Sequence, residues 1–180
     1  MKKLLLLAGI LAISGVAFSA GVEAELEVKA QIVKPLTLTT EPVDFGILVA
    51  GQGRVSTRDG IGKNGKILLS GGAKENVLLK VEGFDAGGVG GSDVYLTNIN
   101  DPNSKLVATL ASEDIGNGNG NNSSIHLSKL FNTPFSLGEE GSLEFPVYGI
   151  LAKGVPVNAT PGQYTGTVKI TADYEFNSGK

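Results

Sequence analysis

GVEAELEVKAQIVKP, residues 21–35, puts an apolar side chain at every second position: Val22, Ala24, Leu26, Val28, Ala30 and Ile32. Between them stand Glu23, Glu25, Glu27, Lys29 and Gln31. Successive side chains of an extended strand face opposite ways, so a period of two predicts a strand with one buried face. Two cores can take that face: the chain's own, or that of a neighbouring copy.

The residues before this stretch read as an export signal. Lys2 and Lys3 form a basic start, Leu4 to Val16 an apolar run, and small residues follow, so residues 1–20 are expected to be removed near Gly21. The apolar run is too short to span a bilayer as a stable helix, and no other segment approaches the ~18 apolar residues a span needs. The remaining 160 residues suit one domain, divided at Pro35 into an N-terminal extension, 21–34, and a body, 35–180. Loss of Lys2 and Lys3 takes the net charge from −3 to −5, which argues against nucleic acid as a partner. The chain contains no cysteine, which excludes disulfides, thiol nucleophiles and cysteine-ligated metals. Twenty-six glycines and only 6% aromatic residues fit a turn-rich all-β chain.

Outward from the opening stretch, strand follows strand. PLTLTT (35–40) alternates Leu36 and Leu38 with threonine, and VDFGILVAG (43–51) is apolar enough to predict a strand covered on both sides. Asn64-Gly65 predicts a tight hairpin turn. NVLLKVEGF (76–84), DVYLTNI (93–99), KLVATLA (105–111) and SLEFPVYGILA (142–152) complete the middle, with a turn at Asn100-Asp101-Pro102-Asn103 and an edge or bulge at Pro146. SSIHLSKLFN (123–132) fits neither period and predicts a short helical turn. In QYTGTVKITADYEF (163–176) the residues Tyr164, Val168, Ile170, Ala172, Tyr174 and Phe176 share one face. About seven to nine strands so spaced predict an antiparallel β-sandwich. Regular strands at both ends of the chain raise the problem of an unpaired edge, which a neighbouring chain can complete by strand addition.

The segment VEAELEVKAQIVKP running into LTL, together with TPGQYTGTVKITADY (160–174), resembles the major pilin subunits of the colonisation-factor-antigen class of chaperone–usher fimbriae. That resemblance implies an incomplete immunoglobulin-like β-sandwich completed by a donor strand from the next subunit. Val22, Ala24, Leu26, Val28, Ala30 and Ile32 would be donated, and Tyr164, Val168, Ile170, Ala172, Tyr174 and Phe176 would form the accepting edge. It further implies copies of the same chain as partners, a periplasmic chaperone, an outer-membrane usher and a host receptor, with a final location on the extracellular surface. PLTLTTEPVDFGILVAGQG (35–53) is also similar to a little-characterised family of small secreted bacterial β-sandwich proteins. A self-contained secreted module binding carbohydrate or protein is therefore the alternative reading.

Other chemistry has little support. DIGNGNGNNSS (114–124) offers oxygen ligands, and a calcium-dependent surface module built on it is a third reading, but calcium loops supply several carboxylates where this stretch has Asp114 beside Glu113. AGGVGGSD (86–93) lacks the Gly-Lys-Ser/Thr of a phosphate loop. His126 is the single histidine, which excludes a histidine metal cluster and leaves one partner for any serine nucleophile. No enzyme activity, cofactor or metal is expected.

Overall fold

The computed structural model of the chain describes residues 24–85, 91–113, 124–131 and 133–175. The chain divides into two units, 1–32 and 33–180. In the first, the described residues form no strand, and Leu26, Val28 and Ile32 are 88%, 85% and 96% exposed. A strand needs an edge to pair with, and the alternating sequence alone supplies only the faces.

The second unit is all-β, with two 3-10 turns and no α-helix among its described residues. Its strands are β1 (Thr37–Glu41), β2 (Val55–Ser56), β3 (Gly65–Ser70), β4 (Asn76–Glu82), β5 (Asp93–Asn98) and β6 (Lys105–Glu113). They continue as β7 (Ser124–His126), β8 (Phe135–Ser136), β9 (Ser142–Leu151), β10 (Tyr164–Thr165) and β11 (Lys169–Tyr174). An eight-stranded sheet runs β1-β3-β9-β6-β5-β10, with β2 beside β9 and β7 beside β6, and a three-stranded sheet runs β11-β4-β8. Every pairing among these strands is antiparallel.

Alternation builds the core. Ile67 and Leu69 of β3, Val77 and Leu79 of β4, and Phe145 and Val147 of β9 point inward at a period of two and form one buried cluster with Leu127, Phe131 and Leu137. Phe135 meets Phe145 edge to face at 5.2 Å between ring centroids. A second cluster holds Val55, Leu106, Ala108, Leu151 and Val155. The expected antiparallel sandwich, the turn at 100–103 and the helical turn at Leu127–Leu130 are all present.

Three expectations are corrected. VDFGILVAG is not a doubly covered strand: among the described residues an isolated Asp44–Lys63 bridge is its only ladder, and Ile47 and Val49 are 97% and 67% exposed. The Asp44 carboxylate accepts the Gly46 N–H at 2.8 Å, and Gly46 turns at φ 68°, which breaks the extended run. Asn64-Gly65 makes no hairpin turn, because Gly65 is the first residue of β3, opposite Val147. The edge or bulge expected at Pro146 is present: Pro146 is paired on the β3 side, opposite Lys66, and on its other side stands where the β6–β9 ladder has ended, its carbonyl accepting the Ser112 hydroxyl at 2.7 Å in place of a ladder bond. Residues 163–176 are not one strand. β10 pairs with β5 in the large sheet and β11 with β4 in the small one, and the chain changes sheets around Gly166. There any Cβ would lie 2.5 Å from the Tyr95 carbonyl oxygen.

Candidate functional site

The sheet switch leaves an opening. Between the segment that follows β1 and the segment running from β10 to β11 lies an apolar groove of about 920 Å³. Its floor includes Ile67, Leu106, Ala108, Leu110, Leu127 and Val147, so it runs over the meeting of the two core clusters.

The first lip starts where the β1–β3 ladder stops at Glu41 and Pro42, without an N–H, enters the chain. Val43 packs on the first cluster and Phe45 and Leu48 on the second. This lip lies directly on β9 at Gly149, where a Cβ would stand 2.6 Å from the Phe45 ring and 2.7 Å from a Val43 methyl. Absence of a side chain at that one position lets the lip sit down.

The second lip is the switching segment. Tyr164, Val168 and Ile170 line the groove. β10 ends the order of the large sheet and β11 that of the small one, so among the described residues each has a strand on one side only. A polar cluster fixes the approach to this lip. Buried Asn98 donates through Nδ2 to the Thr160 carbonyl at 3.0 Å and accepts the Asn100 N–H through Oδ1 at 2.9 Å. The Tyr164 hydroxyl donates to the Thr160 carbonyl at 2.8 Å and lies 2.6 Å from the Ser104 hydroxyl, while the Thr160 hydroxyl donates to Asp101 at 3.0 Å. A buried amide satisfied on both sides specifies one conformation of the loop it ties down.

At the other end of β11 the Tyr174 hydroxyl donates to the Lys34 carbonyl at 2.6 Å and accepts the Gly72 N–H at 2.7 Å. Leu36 packs on the core two residues later, so the body holds its own chain from Lys34 onward.

The charges around the groove are surface charges. Lys66 pairs with Glu144 at 2.9 Å, and that hydrogen bond, then the Glu144 charge and then the Glu41 charge, raise its pKa. Outside the groove lining, on buried Tyr148, burial first and then the hydrogen bond to Glu113 at 2.7 Å push the phenol up.

Of the residues expected to accept a strand, Tyr164, Val168 and Ile170 line the groove, Ala172 and Tyr174 pack on the first cluster, and Phe176 lies outside the described residues. Of those expected to be donated, Ala24, Leu26, Val28, Ala30 and Ile32 are exposed and Val22 lies outside the described residues, as does most of the 114–124 loop. The sequence reading missed Val43, Phe45 and Leu48 as a lip. Their apolar run was the signal, assigned there to a covered strand.

No protein-family model and no curated protein matches the chain. Among solved structures the chain is similar to one described as "Chaperone-tip adhesin complex is vital for synergistic activation of CFA/I fimbriae biogenesis". The identity is 16% and the TM-score 0.38, over 78% of this chain and 42% of that one, so this chain spans less than half of that chain's length.

Proposed function

We propose that this chain is a structural subunit of a bacterial surface fimbria, polymerising by donor-strand exchange. Residues 22–32 of one copy lie in the groove of the next. One observation carries the reading: the same chain has an apolar groove between two sheet edges and, outside its body, an alternating segment whose large side chains are 85–96% exposed. A strand placed in the groove has at β11 an edge that is open among the described residues, and the apolar floor takes alternate side chains. Glu23, Glu25, Glu27, Lys29 and Gln31 then face water.

The contact is heterologous, strand to groove, so it propagates as a fibre. The role is structural and not catalytic. An empty apolar groove with open edges is an aggregation hazard, which is the physical need that a periplasmic chaperone meets before an outer-membrane usher directs exchange. Export through the periplasm to the cell surface, and adhesion to a host receptor, follow from the same reading.

The test compares residues 21–180 with residues 35–180 by gel filtration and unheated denaturing gels, each with and without a synthetic 21–34 peptide. Ladders from the long form that heating removes, together with stabilisation of the short form by the peptide, are expected. A long form that stays monomeric and takes up no peptide overturns the proposal and leaves a self-contained binding module.

A further inference from the structure

The groove has two ends, and the apolar surface is at one of them. β1 runs from Thr37 opposite Ser70 to Glu41 opposite Lys66, and the Asp44–Lys63 bridge continues in the same direction. Lys34, tied through Tyr174 to Gly72, therefore marks one end of the body, and Ile47 and Val49 lie at the other. β9 runs the same way, from Ser142 opposite Ser70 to Leu151 opposite Val55, and carries Val157 to that far end. The Gly51 N–H donates to the Val155 carbonyl at 3.0 Å, so the 47–52 and 155–157 loops are joined. β5 also ends there, with the Ile99 N–H donating to the Gln163 carbonyl at 2.9 Å.

Nine large apolar side chains are exposed among the described residues. Three are on the extension, Leu26, Val28 and Ile32, and four are at the far end: Ile47 at 97%, Val49 at 67%, Ile99 at 59% and Val157 at 83%. Only Tyr95 and Val107, opposite each other on β5 and β6, lie elsewhere.

We infer that this far-end cap is an interface for a second copy, whose Lys34 end seats on it, and that this contact selects an open fibre over a closed dimer. The inference rests on the donor-strand reading and adds the direction of insertion. Eleven residues, 22–32, span about 36 Å when extended, which leaves Val33 alone before the anchored Lys34. With no slack, the donor's body must touch the end at which its strand enters.

Entry at the Lys34 end would bring two like ends together. Each copy's extension would then reach the other's groove, and the pair would close on itself as a two-fold dimer. Entry at the far end sets unlike ends together, runs the donor antiparallel to β11, and leaves the recipient's own extension free for a third copy. Burial of Ile47, Val49, Ile99 and Val157 is available only to the second arrangement, and removal of that apolar area from water favours it.

The test uses residues 21–180 carrying Val49→Lys and Val157→Asp, two cap positions that do not line the groove. Both side chains are exposed, so the body keeps its fold. Val107→Lys serves as a control charge on an exposed position away from the cap. Each protein is refolded with a labelled 21–34 peptide in excess and, separately, without it. Parental peptide uptake in the cap variant, with unheated ladders and filaments that stop at the dimer, is expected, while Val107→Lys keeps the full ladder. Parental peptide uptake with a full ladder in the cap variant overturns the inference and leaves donor-strand exchange standing. A parental chain that takes up no peptide overturns both.

Discussion

Tyr148 shows how single groups set the behaviour of the core's polar margin. Its ring is buried, its hydroxyl donates to Glu113, and the Arg58 guanidinium lies 5.3 Å from the ring centroid. Burial and then Glu113 favour the protonated phenol in the folded state, whereas in the unfolded chain it loses its proton near pH 10. A raised folded pKa means that the folded state holds the proton longer, so its contribution is complete below about pH 10 and disappears as pH climbs through the folded value. Tyr148→Phe is therefore expected to cost about 0.5–1.5 kcal/mol at neutral pH through the lost hydrogen bond. The gap to the parent should narrow above pH 10, read from urea midpoints between pH 7 and 11. A gap constant with pH would show that the phenol titrates alike in both states.

At the scale of elements, the lip of 42–48 and the strand β9 fit because of Gly149. In Gly149→Val the added methyls meet Phe45 and Val43, and such overpacking costs about 1–3 kcal/mol. The lip is expected to lift from the sheet, which lowers both the thermal midpoint and the uptake of a 21–34 peptide. Unchanged uptake would show that this segment does not border the binding site. These elements also show what was legible in sequence. β3, β4, β6 and β9 were readable because each sends a pair of apolar residues two apart into a core, Ile67 and Leu69, Val77 and Leu79, Leu106 and Ala108, Phe145 and Val147, and β5 because Val94 and Leu96 keep the same spacing. The 43–51 run was misread because continuous apolarity describes a segment under a lid as well as a strand between layers, and only the Asp44 side chain and Gly46 reveal the turn. The division of 163–176 was hidden because alternation is continuous through Gly166 and is blind to which sheet a strand joins. Half of the candidate groove, Tyr164 to Ile170, was found this way; the other half needed tertiary structure.

For the whole molecule, the groove makes stability a function of what fills it. A ligand that binds only the folded state adds about 2.7 kcal/mol at a hundred times its dissociation constant. A 21–34 peptide should therefore raise the urea midpoint of the chain in proportion to the logarithm of its concentration. A peptide of the same composition, permuted so that its glutamates take the apolar positions, should not, since a shift of one residue exchanges the two faces of a strand. Equal effects from both peptides would mean that the groove recognises no face. The Tyr174 hydroxyl gives the same body a mechanical character. A pull on the extension arrives at Lys34 and divides there, along the backbone into β1 and through the hydroxyl into β11. Both strands lie flat in antiparallel ladders, β1 against β3 over five residues and β11 against β4 over six. Tension along the strands loads these ladder bonds together in shear instead of peeling them one by one, so the body resists stretching with whole ladders at once.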